Sequence, residues 1–152
     1  MNFEISKISK GIMAGFVATI VLTVLMLLKN MMGIMPELDP VKMMADMAAQ
    51  KLGMEPNLAV GWVMHFMIGS VAWGGAFAVL NDILPAKTQR QKGMLFGIAA
   101  WIMMMIGPMP MSGAGLFGLN IGPMAPVMTF VLHIIFGVVL GAVYTKLNKN
   151  KL

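Results

Sequence analysis

Four apolar stretches divide the chain. They run Gly11–Leu28, Leu58–Leu80, Gly93 to about Gly107, and about Pro123 to Thr145, and none contains an Asp, Glu, Lys or Arg. A helix needs roughly 20 apolar residues to cross the hydrocarbon core of a bilayer, so the pattern predicts an all-α integral membrane protein, a bundle of four transmembrane helices. Lys7 and Lys10 precede the first stretch as in a signal peptide. No small-residue cleavage site follows Leu28, and the stretch is read as a span.

The polar segments between the stretches predict two different outer loops. In the first, Asp39 stands as an N-cap, Pro40 at the first helical position and Gly53 just past the end, the signature of a short helix. Val41, Met44, Ala48 and Leu52 share one face of it, which predicts a helix lying on the outer membrane surface. The loop between the third and fourth spans is uncharged, and its Gly107-Pro108-Met109-Pro110-Met111-Ser112-Gly113 and Gly118–Gly122 segments break a helix. Such a loop is expected to tuck against protein or dip into the interface.

Composition agrees with this class. Hydrophobic residues make up 59% of the 152 and charged residues 11%, against roughly 25% charged in soluble domains, and the mean hydropathy is +0.82. Four spans and their loops use up the chain, which is read as one transmembrane domain over 1–152 without a separate catalytic domain. Lys7, Lys10, Lys87, Arg90, Lys92, Lys146, Lys149 and Lys151 fall at one end, whereas Lys29, Lys42 and Lys51 at the other are diluted by Glu37, Asp39, Asp46 and Glu55. The positive-inside rule then predicts a multi-pass protein of the inner (cytoplasmic) membrane with both termini in the cytoplasm. The net charge of +5 is a topology signal, and a nucleic-acid partner, which would need cations clustered on a soluble face, is excluded.

The chain repeats itself. Lys10-Gly11-Ile12-Met13-Ala14-Gly15 matches Lys92-Gly93-Met94-Leu95-Phe96-Gly97, and two histidine segments follow in the same order. Repeat one covers about 10–80 and repeat two about 92–146. Each unit has two spans, so both insert the same way up, as parallel repeats about an axis along the membrane normal. That symmetry predicts His65 and His133 at similar depth in the outer half, about seven residues or roughly 10 Å inside the ends of their helices.

Those are the only histidines, and each sits in an apolar run four residues before a glycine, Gly69 or Gly137. An ionisable residue inside hydrocarbon is costly and marks a candidate site. Gly61, His65, Gly69, Ala72 and Ala76 lie along one stripe, as do His133, Gly137 and Gly141, which turns both imidazoles toward protein. One reading is structural: small residues let helices approach while each imidazole bonds a neighbour such as Thr19, Thr23 or Thr129. The other is a shared centre. A b-type haem takes one neutral imidazole from each of two helices, with Gly69 and Gly137 leaving room beside the ligands.

Copper is the alternative cofactor. Twenty residues are Met, many in the outer half or outer loops, and thioethers are soft ligands that favour copper(I). Copper fits two histidines alone less well than haem does and would need Met64, Met67 or Met128 to join them; Met109 and Met111 form the one tight pair, so the candidate metal ligands are His65, His133, Met109 and Met111. Methionine is also a flexible filler of irregular gaps, which would leave the protein without a cofactor. Zinc would want four donors, and neither cysteine nor a carboxylate within a span is present. No paired carboxylates, nucleophile elbow or phosphate loop suggests catalytic activity of its own.

Lys-Gly-x-x-x-Gly opening the odd helices and His-x-x-x-Gly in the even ones resembles a family of small four-helix prokaryotic membrane proteins without assigned function. The resemblance covers nearly the whole chain and implies a fold and no activity. His-x-x-x-Gly is also similar to the ligand helices of membrane cytochrome b subunits, where four histidines are common; two here would allow one haem at most. Three functions follow as expectations: a haem-binding electron-transfer subunit, a copper-handling membrane protein, or an accessory subunit packed by its Met-rich surface into a larger complex or a homo-oligomer.

Overall fold

A computed structural model of the chain describes residues 2–149, and Lys151 lies outside them. Four helices are long and apolar enough to cross a membrane: Ile5–Met31, Leu58–Leu80, Gln89–Met111 and Ala125–Lys149. They belong to helices α1 (Asn2–Met31), α3 (Leu58–Leu80), α4 (Gln89–Ile106, followed after Gly107 by a single turn Pro108–Met111) and α5 (Ala125–Lys149). Helix α2 (Pro40–Leu52) occupies the loop between α1 and α3. No strand occurs among the described residues. Many large apolar side chains point outward, among them Val24, Val63, Ile102 and Val131. This suits a lipid bilayer as the surrounding solvent.

The short helix forms where its caps place it. The Asp39 carboxylate accepts from the amides of Val41 and Lys42 at 3.0 and 3.1 Å, and Gly53 closes the end at φ +65°. Its buried face is Val41, Ala45 and Ala49. Of the Val41, Met44, Ala48, Leu52 face that the sequence assigns to the membrane surface, Val41 is buried against protein and Leu52 is 70% exposed. The reason is a neighbour: the Val41 carbonyl lies where a side chain on Gly61 would stand, so α2 packs against the first turns of α3 and turns its small residues toward it. α4 begins earlier than hydropathy suggested, because Thr88 and Gln91 form a reciprocal capping box.

Each hairpin is a glycine-mediated helix pair. Gly11 of α1 and Gly74 of α3 face each other so closely that a Cβ on either would strike the other's carbonyl, and Gly93 of α4 and Gly137 of α5 do the same. Small residues that bring backbones together are the usual means of association in lipid. The two hairpins meet chiefly through α1 and α5. Toward the basic end, α3 reaches α4 and α5 through rings: Phe77 packs edge-on to Phe96 and Tyr144, with centroids 5.5 and 5.4 Å apart, inside a core that also holds Ala14, Ala18, Phe136 and Leu140.

A second core lies at the other end, where Leu38, Met105, Met109 and Ala114 are buried with Met35, Met43, Met104, Met128, Trp101 and Phe117 around them. The uncharged Gly/Pro loop therefore tucks against protein. Met109 and Ala114 come from it, and Asn120 ties it by its amide nitrogen to the Ala114 carbonyl at 3.0 Å.

The repeat has slipped by one turn. Within α3 the segment Met67–Gly74 is π-helical, which places Gly69 and Gly74 together against Gly15 of α1 although they are five residues apart. In α5 the corresponding contacts to Gly97 come from His133 and Gly137, four apart. Gly11 corresponds to Gly93 and Gly15 to Gly97, so by contact Gly74 corresponds to Gly137 and Gly69 to His133. The counterpart of His65 is then Thr129. The expected equivalence of the two histidines is thus corrected: relative to its own helix crossing, His133 sits four residues, or about 6 Å at 1.5 Å per residue, deeper than His65.

Candidate functional site

Between the two hairpins, bordering the aromatic core through Phe136 and Trp73, is a cavity of about 210 Å³ to which all four long helices and α2 contribute. Both histidines line it. So do Met26, Met43, Met44, Met47, Met104 and Met109, together with Thr19, Thr129, Ser112 and Lys29, and no carboxylate is among the lining residues. It exists because α3 and α5 meet through side chains lower in the bundle, while the close backbone contacts are made within each hairpin.

The two imidazoles are held differently. His133 Nδ1 lies 2.8 Å from the carbonyl of Thr129, one turn back on the same helix. A carbonyl only accepts, so Nδ1 carries the proton and Nε2 keeps its lone pair, with no hydrogen bond to it among the described residues. His65 Nε2 lies 3.1 Å from the hydroxyl of Thr23 on α1. That hydroxyl gives its single proton to the Thr19 carbonyl at 2.8 Å, so His65 donates through Nε2 and keeps its lone pair on Nδ1. Trp62 and Phe66 stand edge-on to the His65 ring, with centroids 6.1 and 5.6 Å away.

The glycines that follow each histidine are occupied by neighbouring helices. A Cβ on Gly69 would overlap the Thr19 hydroxyl, and one on Gly137 would overlap the Gly93 carbonyl. They serve helix contact, and Gly69 alone of the two lines the cavity. The Met109–Met111 pair is separated: Met109 is 4% exposed and lines the cavity, whereas Met111 is 56% exposed and does not. The intervening turn Pro108–Met111 places them on different faces. Among the described residues no three His, Cys, Asp or Glu side chains cluster as a metal-binding group. The donors that accompany the histidines are thioethers and hydroxyls.

Lys29 was not among the sequence candidates. It ends α1 with 7% exposure, and its ammonium donates to the carbonyls of Ile34, Met35 and Leu38 at 3.1, 2.9 and 2.9 Å. All three N–H groups of the charged form are thereby satisfied. Asp39 and Glu37 lie within Coulombic range and offset the charge. Its one legible signal was position, a lone cation at the end of the first apolar stretch. Its partners are backbone carbonyls, which leave no trace in residue type.

Thr129 is the centre of a second polar cluster. It accepts from Trp101 Nε1 at 3.1 Å, donates to the Ala125 carbonyl at 2.8 Å, and lies 3.8 Å from the sulfur of Met105. Met105 stands in α4 where Thr23 stands in α1, so the Met105–Thr129 contact is the counterpart of Thr23–His65.

Over residues 5–151 the sequence matches a protein family described only as a family of unknown function, DUF6789. The chain belongs to that family. No curated protein and no solved structure matches it. Membership of DUF6789 fixes no chemistry, so the cavity and its donors carry the functional argument.

Proposed function

We propose that this membrane protein binds copper(I) in the cavity between its hairpins, as a metal-handling rather than catalytic protein. The observation that carries the reading is the donor set: two imidazoles and six thioethers line one cavity without a carboxylate. Thioethers and imidazoles are soft to intermediate ligands suited to copper(I), whereas hard cations want oxygen. His133 is held as metal-ligating histidines are, with one ring nitrogen fixed on a backbone carbonyl and the other left free. Most of the basic residues, from Lys7 and Lys10 to Lys146 and Lys149, stand at the end opposite the cavity, whereas Lys29, Lys42 and Lys51 near it are offset by acidic residues, so the positive-inside rule favours cytoplasmic termini and a cavity toward the outer face of the cytoplasmic membrane. Reporter fusions to the carboxyl end test the orientation, and an external signal refutes it.

The copper reading is tested on the purified full chain. Copper(I) is added anaerobically with reductant and titrated against a chromogenic copper(I) chelator. Wild type should hold the metal, and His133→Ala and Met109→Leu should each weaken it by about tenfold or more, the effect of losing a ligand or its support. A His65→Ala/His133→Ala protein that competes as well as wild type refutes the site.

Haem is the second reading, favoured by the presence of both histidines on one cavity. It asks more of the fold. The volume of about 210 Å³ is below the roughly 300–1,000 Å³ of pockets for drug-sized ligands, and Thr19 and Gly93 fill the spaces beside Gly69 and Gly137. Thr23 also holds the Nε2 of His65. A Soret band with sharp reduced α and β bands in protein made with ample haem would establish haem and displace copper. Protein that takes up neither group fits an accessory subunit, whose exposed apolar helices would pack against other subunits or a second copy.

A further inference from the structure

The cations at the basic end fall into two sets. Lys7 pairs with Asp82 at 3.0 Å, Lys10 bonds the side-chain oxygen of Asn148 at 2.9 Å, and Lys92 bonds the Asn81 carbonyl. These three tie helix ends together. Lys87, Arg90, Lys146 and Lys149 are exposed and make no hydrogen bond or ion pair among the described residues. The division follows the repeat: the unpartnered cations all belong to the second hairpin and the loop leading into it.

That hairpin also holds them in one region. Lys87 and Arg90 flank the Thr88 N-cap of α4, and Lys146 and Lys149 occupy the last turns of α5. The first turn of α4 lies directly on α5, since a Cβ on Gly141 would overlap the Gln89 carbonyl and approach the Arg90 Cα. Among residues whose side chains are described, Asp82 is the sole carboxylate at this end, and Lys7 takes it. Toward the middle of the bundle the same two helices turn Met94, Ile102 and Val131 outward. An apolar belt beneath a ring of unneutralised cations is complementary to a phospholipid with a negatively charged headgroup.

We propose that the basic end of the α4–α5 hairpin binds anionic phospholipid headgroups in preference to zwitterionic ones, and that the α1–α3 hairpin lacks this preference. Each basic residue held at an anionic membrane surface strengthens association by about fivefold. The attraction is a screened one, and the Debye length shrinks from about 10 Å at 0.1 M salt to about 3 Å at 1 M. Selectivity should therefore be strong at low salt and small at high salt.

The test uses the full chain in phosphatidylcholine vesicles with spin-labelled phosphatidylglycerol or spin-labelled phosphatidylcholine as probe, measuring the motionally restricted fraction of each. Wild type should prefer phosphatidylglycerol at least fivefold at low salt, the effect of one basic residue. The protein with Lys87→Gln, Arg90→Gln, Lys146→Gln and Lys149→Gln should show a ratio near one. A Lys42→Gln/Lys51→Gln protein, altered only at the far end, should keep the wild-type ratio, which separates a local site from overall charge. Equal restriction of both probes by wild type overturns the proposal, as does an undiminished preference in the fourfold variant. A loss of preference in the Lys42/Lys51 variant equal to that in the fourfold variant overturns it too. Should the fourfold variant insert poorly, the pairs Lys87/Arg90 and Lys146/Lys149 are neutralised separately, and a preference left intact by both pairs refutes the site.

Discussion

Replacing Lys29 by Met keeps the length and much of the volume of the stem and removes the ammonium. The carbonyls of Ile34, Met35 and Leu38 then lose their donor. The first two belong to a partly exposed stretch and can bond water, whereas the Leu38 contact is buried and Leu38 itself is 1% exposed. A buried acceptor left unsatisfied costs about 1–3 kcal/mol, and a lost hydrogen bond from a charged donor is worth about 1.5–3 kcal/mol net. Both figures describe the one lost Leu38 bond, and with the other two carbonyls largely compensated by solvent the loss is about 3 kcal/mol, the upper end of those ranges. The damage should be local, because the glycine crossings that join the helices lie elsewhere. Hydrogen exchange of the full chain in nanodiscs reads it. Protection of the Leu38 amide, which bonds the Met35 carbonyl at 3.0 Å, and of the first turns of α2 should fall by about 100-fold, since 1.4 kcal/mol is a factor of ten. The glycine-crossing regions of α1 and α5 should keep theirs. Protection at Leu38 within threefold of wild type would refute the idea that the ammonium holds this loop.

Two further substitutions test the packing. Gly93→Ala sets a methyl group against the Gly137 carbonyl, so α4 and α5 must part, and a loss of about 1–3 kcal/mol typical of overpacking should lower the thermal midpoint; Gly33→Ala meets no neighbour and is strained only by its φ of +68°, so an equal or larger loss there would contradict the crossing argument. Thr129→Val leaves Trp101 Nε1 without its acceptor and should cost about 1–3 kcal/mol with a shift in the tryptophan emission; an unchanged spectrum and midpoint would show that the bond contributes nothing.

How much of this could be read in the sequence depends on where the cause of each feature lies. The spans were legible because bilayer thickness imposes their length, and α2 because Asp39, Pro40 and Gly53 act locally. The buried face of α2 was not, because the carbonyl of Val41 rather than any apolar side chain decides how it meets Gly61. Gly61 and Gly69 of α3 and Gly137 and Gly141 of α5 were legible as stripes, but Gly74, which meets Gly11, and the π-helical turns of α3 were not: those turns bring Gly69 and Gly74 together against Gly15, a contact set by another helix. The slip of register follows from them, and with it the non-equivalence of His65 and His133. Both histidines could be placed facing protein from their neighbours, whereas their tautomers depend on Thr23 and on a backbone carbonyl. The separation of Met109 from Met111 follows from one helical turn begun by Pro108, where a missing amide lets the chain restart after Gly107.

The one-turn slip also bears on why both halves are joined in a single polypeptide. Two copies of the first hairpin, assembled about an exact twofold axis, would offer the cavity Thr23–His65 twice and glycine at both deeper positions. Two copies of the second would offer Met105–Thr129 twice and His133 twice. Neither homogeneous assembly could combine an imidazole that gives a proton to a hydroxyl with a second, deeper imidazole whose outer nitrogen is a free electron-pair donor. Covalent linkage of two diverged halves supplies that mixture in every molecule, with no dependence on subunit concentration and no sorting problem among like partners.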